Sequence, residues 1–236
     1  MKYLIAGAAA FLFAACNPTP EPDPNSGIPE VYENAQFTVL LESDIVYGEG
    51  LTHQSSGSAS ATAMELKLDV YTPDNAETNR PMYLFFHGGG FIGGSKSTAS
   101  IQYLADYYTS RGWVFASAAY RLQDDYGTIP QTWEAYTQFL DPSLVGQYRA
   151  IYPALRDAKA ALRFLVANAD DYGFNTEYIT VGGSSAGAVT AVAISTSNAE
   201  DFRDEIDIAD DPTLVSVKAT TTFEVHTMLD LWSSGV

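Results

Sequence analysis

Ser185 stands between Gly183 and Gly187 in the stretch YITVGGSSAGA, Tyr178 to Ala188, and completes a G-x-S-x-G pattern. A serine hydroxyl becomes a useful nucleophile when it is lifted clear of its own backbone and given a base and an electropositive setting. The flanking residues predict such a mount. Tyr178 to Val181 is a short apolar run with β-branched residues at its centre, the pattern of a buried strand. Glycines follow at once, and then small residues in a helical pattern, so the serine falls on a strand-to-helix turn. Glycines suit that turn because only residues without side chains let strand and helix approach so closely. A phosphate-binding loop is excluded: Gly182 and Gly187 have its spacing, but Ala188 and Val189 stand where Lys and Ser/Thr are required.

A second glycine cluster, His87-Gly88-Gly89-Gly90-Phe91, follows another apolar run, Met82 to Phe86. Gly88, Gly90 and Gly93 also satisfy G-x-G-x-x-G, the dinucleotide fingerprint. That reading fails on two counts: Gly94, Ser95 and Lys96 separate the third glycine from the helix, and the next strand runs into Tyr120 and Arg121 rather than an acidic residue. Consecutive glycines instead let a loop turn its amides inward, toward the oxyanion of a tetrahedral intermediate. His87 is then a loop-orienting residue and not a general base.

These motifs need a sheet to hold them. Phe37 to Tyr47 reads as a first strand, and Met64 to Tyr71 alternates as a half-exposed strand of an antiparallel edge region. From Met82 onward buried strands alternate with helices, which argues a mostly parallel sheet with helices on both faces. Ser97 or Thr98 caps a helix bearing Ile101, Leu104, Ala105 and Tyr108, and Gly112 ends it. Trp113 to Ala119 is a strand. Leu155, Ala158, Leu162, Leu165 and Ala169 form a helical apolar face with Arg156, Lys159 and Arg163 opposite it. Val215 to Phe223 reads as the last strand. The long connection between Trp113 and Leu155 carries Tyr126, Trp133, Tyr136, Phe139, Tyr148 and Tyr152, which either pack together or wall a site.

Taken together, the segments FFHGGGFIGGS, AAYRL and LRDAKAALRFLVANADDYGFNTEYITVGGSSAGA resemble the α/β-hydrolase esterases and lipases of the HGGG type, hormone-sensitive-lipase-like or type-B-like. The likeness runs from about Phe37 to the end of the chain. It implies a serine carboxylic-ester hydrolase acting through an acyl-enzyme on Ser185. Gly89, Gly90 and Ala186 are then the oxyanion donors, and no cofactor or metal is needed. Ser184 precedes the nucleophile, where the two subfamilies carry Asp or Glu, so the subfamily stays open.

The base and its carboxylate are the open question, since this fold orders its triad Ser, Asp/Glu, His. The one histidine after Ser185 is His226. Either it serves, with Asp230 or Asp207 as partner, or the chain is the N-terminal part of a longer enzyme whose sheet is unfinished here. A catalytically inactive hydrolase-fold binding protein is the alternative function.

At the N-terminus Lys2 precedes an apolar run, Tyr3 to Phe13, too short to cross a bilayer as a helix. Ala14 and Ala15 then lead to Cys16, the sole cysteine, which resembles a bacterial lipoprotein signal with Cys16 as the acylated residue. The expected organisation is a signal over residues 1–15, a Pro-rich tether over 16–34 and a hydrolase domain over 35–236, held to a membrane in the bacterial cell envelope. A net charge of −17 argues against nucleic-acid partners.

Overall fold

The computed structural model describes residues 27–217 and 221–231. The expected signal, Cys16 and most of the tether lie outside them. Residues 27–34, expected as the end of the tether, lie against the domain: Tyr32 N–H donates to Arg111 O at 3.0 Å, and Asn175 Nδ2 donates to Gly27 O at 3.3 Å.

Among the described residues six strands form one sheet: β1 (Val39–His53), β2 (Ala61–Pro73), β3 (Arg80–Phe86), β4 (Val114–Ala118), β5 (Phe174–Ser184) and β6 (Thr227–Leu231), in the order β1-β2-β4-β3-β5-β6. The first two are antiparallel to their neighbours, while β4, β3, β5 and β6 run parallel. The expected α/β-hydrolase architecture, mostly parallel with antiparallel N-terminal strands, is therefore present. The helices are α1 (Ala99–Thr109), α2 (Gln131–Tyr136), α3 (Val145–Ala167), α4 (Ala169–Tyr172), α5 (Ala186–Thr196) and the single turn α6 (Leu214–Val217).

Alternation along β3 builds both halves of the core. Met82, Leu84 and Phe86 face α3 and α5, while Tyr83 and Phe85 face α1. All are buried, and each contributes roughly 1.5–3 kcal/mol by leaving water. On the first side Ala154, Ala158, Ala161 and Leu162 of α3 let that helix sit close to the sheet. On the other, Tyr71, Phe115, Ile101 and Ala105 close around Tyr83.

Three sequence expectations are corrected. Helix α3 begins at Val145, ten residues before Leu155, and contains Pro153 within it. Proline removes one intrahelical bond, yet the helix continues to Ala167; on the turns before it Trp133 stacks on Tyr148 (4.7 Å, 7°) and packs on Tyr152. Three of the six aromatics thus pack together, while Tyr126, Tyr136 and Phe139 are exposed. Secondly, Arg156, Lys159 and Arg163 do not face solvent. The segment after α5 folds over them: Arg156 Nη1 meets Asp211 Oδ2 at 2.9 Å, Lys159 Nζ donates to Asp201 O at 3.1 Å, and Arg163 Nη2 donates to Ala199 O at 2.5 Å. Buried cations need such partners, and here a carboxylate and backbone carbonyls supply them. Thirdly, the last strand is Thr227–Leu231, not Val215–Phe223. Leu214 and Val217 are instead buried in the α6 turn, with Ser216 Oγ accepting from Glu49 N–H at 3.1 Å.

Candidate active site

The G-x-S-x-G segment forms a sharp elbow between β5 and α5. Ser185 is the N-cap of α5, with φ 51° and ψ −113°, a conformation that L-residues with side chains adopt rarely. Its carbonyl already accepts the first helical bond, from Val189 N–H at 3.1 Å, while its hydroxyl makes no capping bond. The side chain is therefore exposed and unengaged, at the electropositive end of an 11-residue helix. The neighbouring glycines are steric necessities. A Cβ on Gly187 would lie 2.0 Å from Phe86 O, and one on Gly183 would lie 2.4 Å from the Gly187 carbonyl carbon.

Parallel register carries the second motif to the same place. Phe86 pairs with Gly183, so the residues after β3 emerge beside the elbow. A Cβ on Gly88 would stand 2.9 Å from Ser184 O, which puts the HGGG loop in contact with the turn that carries Ser185. His87 is buried and stacked on Tyr120 (4.3 Å, 12°); its Nδ1–H donates to Gly88 O at 2.8 Å, and Tyr120 Oη donates to His87 O at 2.6 Å. Burial pushes its pKa below the usual imidazole value, against the opposing pull of the Gly88 bond. A neutral, stacked ring suits a loop strut.

Gly89 takes φ 120°, with Gly93 O where its Cβ would be, and its carbonyl accepts from Ile92 and Gly93 N–H at 3.0 and 3.1 Å. Among the described residues, no backbone carbonyl accepts from the N–H of Gly89, Gly90 or Ala186. Two further residues, not singled out by the sequence, hold this loop. Gln147 Nε2 donates to Gly90 O at 2.8 Å, and Gln123 N–H donates to Phe91 O at 2.8 Å. Neither carries a motif; only the tertiary fold brings them to the loop.

None of the three histidines reaches Ser185. His53 sits at the β1–β2 hairpin end, bonded to Ser58 O and Thr128 Oγ1. His226 precedes β6, with its N–H donating to Ile179 O at 2.9 Å and its ring 5.1 Å from that of Tyr178. Since Thr227 pairs with Thr180 and Leu231 with Ser184, His226 lies at the start of the parallel strands and Ser185 at their end. Six residues of strand separate the two levels, about 20 Å. The compact triad built on His226 is thereby overturned. Asp230 pairs with Gly183 and so stands at the serine's end of the sheet. Asp207 accepts from Ala209 N–H at 2.8 Å and borders a separate cavity of about 850 Å³, shared with His53, Tyr126, Gln131, Glu134 and Arg149.

A mostly parallel sheet, a strained serine elbow and an adjoining glycine loop define the α/β-hydrolase class to which carboxylesterases belong. A family model described as BD-FAE matches residues 68–135 and 145–235, more than half of the chain. The chain belongs to that family. It is similar to gut esterase 1 of Caenorhabditis briggsae, 28% identical over 172 residues, which cover 72% of this chain and 27% of that protein. It is also similar to pyrethroid hydrolase Ces2a of Mus musculus, 27% identical over 177 residues, covering 73% of this chain and 28% of that protein. Among solved structures, the thermophilic esterase Est2 of Thermogutta terrifontis superimposes with a TM-score of 0.50 at 20% identity, covering 78% of this chain and 52% of that one. The chain spans about a quarter of the length of these curated relatives and about half that of the solved esterase.

Proposed function

We propose that this chain carries the nucleophile and the oxyanion site of a serine carboxylic-ester hydrolase. The backbone of Ser185 supports this reading most strongly: a serine held at φ 51° between two sterically obligatory glycines is costly, of order 1–3 kcal/mol, and serves to expose its hydroxyl. Ser185 Oγ attacks the ester carbonyl carbon. The carbonyl oxygen takes the negative charge and receives hydrogen bonds from Gly89, Gly90 and Ala186 N–H. As the intermediate collapses, the C–O bond to the alcohol breaks, the alcohol leaves with a proton, and an acyl-serine remains. Water then attacks that ester, the bond from the acyl carbon to Oγ breaks, and the carboxylic acid leaves as one proton of the water returns to Ser185. Each aligned amide contributes about 2.7–4 kcal/mol to such a step.

The proton must pass through a base, and His53, His87 and His226 do not stand where they could take it from Ser185. Cys16 is the acylated anchor of the same protein, on the strength of the apolar run before it, and places the hydrolase at the surface of a bacterial envelope membrane. The reading is tested on the product of the complete reading frame. It hydrolyses a short-chain p-nitrophenyl ester, and Ser185→Ala abolishes the reaction; an unchanged rate in that variant rejects the assignment. The distance of His226 from Ser185 favours a second reading for the 236-residue chain alone, a binding scaffold without turnover.

A further inference from the structure

The loop that would hold the oxyanion is an unfavourable structure by itself. Gly89, Gly90, Phe91 and Gly94 take φ of 120°, 63°, 60° and 118°. Phe91 is a bulky residue in a left-handed conformation, which persists only where its surroundings over-determine it. Glycine at 89 and 90 brings the widest backbone freedom of any residue to the two positions whose amides must point at one oxygen. Such a loop needs external restraint.

That restraint comes from two successive carbonyls. Gln147 Nε2 donates to Gly90 O at 2.8 Å, and the next carbonyl, Phe91 O, accepts from Gln123 N–H at 2.8 Å. The two tethers are neighbours: Gly146, beside Gln147 in the first turn of α3, lies against the Gln123 side chain, whose Cδ would stand 2.8 Å from a Cβ placed there. Gln147 is mounted on a 23-residue helix that is mostly buried from Ala150 onward, and its neighbour Tyr148 stacks on Trp133. Gln147 touches the loop backbone and not the reacting atoms.

We propose that Gln147 is a positioning residue, clamping the Gly90–Phe91 peptide from the first turn of α3 and so limiting the rotation about Gly90 that would swing the preceding Gly89 and Gly90 amides out of line. The inference rests on the ester-hydrolase reading. The side chain has to be an amide donor of this length. Glutamate has the same reach but only acceptor oxygens when ionised, and would repel the carbonyl. Leucine fills similar space without a donor.

The test uses Gln147→Glu and Gln147→Leu in the product of the complete reading frame. With p-nitrophenyl butyrate, kcat falls roughly 10- to 100-fold while KM stays within about twofold, because only transition-state contacts are lost. Affinity for a trifluoromethyl ketone, which forms the tetrahedral adduct on the serine, falls by the same factor. The thermal midpoint stays within about 3 °C, as for a substitution outside the core. Wild-type kcat in both variants, or a loss tracking a lowered midpoint, overturns the proposal. Amide exchange over residues 86–98 needs no turnover: it speeds up about tenfold in both variants, and wild-type protection there also overturns the clamp. Should Ser185→Ala keep the wild-type rate, the hydrolase reading fails, and exchange still decides the clamp.

Discussion

Replacing Ser185 by glycine and by alanine separates the elbow's strain from its chemistry. At φ 51° and ψ −113° any Cβ is unfavourable, by about 1–3 kcal/mol for a residue held in such a region. Alanine keeps that Cβ and loses only the hydroxyl, which makes no capping bond, so Ser185→Ala should leave stability nearly unchanged. Glycine removes the strain but adds unfolded-state freedom worth roughly 0.4–1 kcal/mol against folding. The balance makes Ser185→Gly more stable than Ser185→Ala by about 1 kcal/mol, the reverse of their order at an unstrained position. For a urea slope of about 2–3 kcal/mol per molar, that is a midpoint difference of about 0.3–0.5 M at equal slopes. Both variants lack hydrolysis. Equal midpoints, or alanine the more stable, would refute strain at the elbow and with it the physical argument for Ser185.

Further outcomes follow from the same geometry. Gly187→Ala places a Cβ 2.0 Å from Phe86 O and should cost about 3 kcal/mol or more, whereas Gly93→Ala meets nothing within 4 Å and should stay within about 0.5 kcal/mol of wild type; urea melts of both decide this. His226→Ala should leave ester hydrolysis by the full-length product unchanged, because the ring sits at the far end of β6; a hundredfold loss would restore His226 as the base. Lys159 has its pKa pushed down to about 8 by burial, against the pull of Asp201. Between pH 8 and its unfolded value near 10.4 the unfolded chain binds the extra proton, so the lysine's contribution to stability rises with pH across that window. Urea melts at pH 7.5 and 10 should therefore show wild type gaining on Lys159→Met as pH rises, and a constant difference would contradict it.

What the sequence disclosed is uneven for physical reasons. Met82–Phe86, Val114–Ala118 and Tyr178–Val181 are central strands buried on both faces, and continuous apolar runs announce such strands. The elbow and the HGGG loop were legible because their glycines answer local steric demands at Gly89, Gly183 and Gly187. The polar stripe of α3 was not. Arg156, Lys159 and Arg163 have the spacing of a solvated face, and only the Asp211 carboxylate and the distant carbonyls of residues 198–217 turn it into a buried one. Val215–Phe223 has strand composition, yet its first residues are taken into a short helical turn, and among the described residues pairing starts only at Thr227. Gln147 was invisible for the same reason, since one glutamine at a helix start means nothing until the fold sets Gly90 opposite it.

The most direct measurement is to treat the product of the complete reading frame with a fluorophosphonate and map the adduct by peptide mass spectrometry. The structure predicts one phosphonylated residue, Ser185, and no label in Ser185→Ala. Label on another serine, or hydrolysis that proceeds with Ser185 unmodified, would contradict the assignment of the elbow as the catalytic centre.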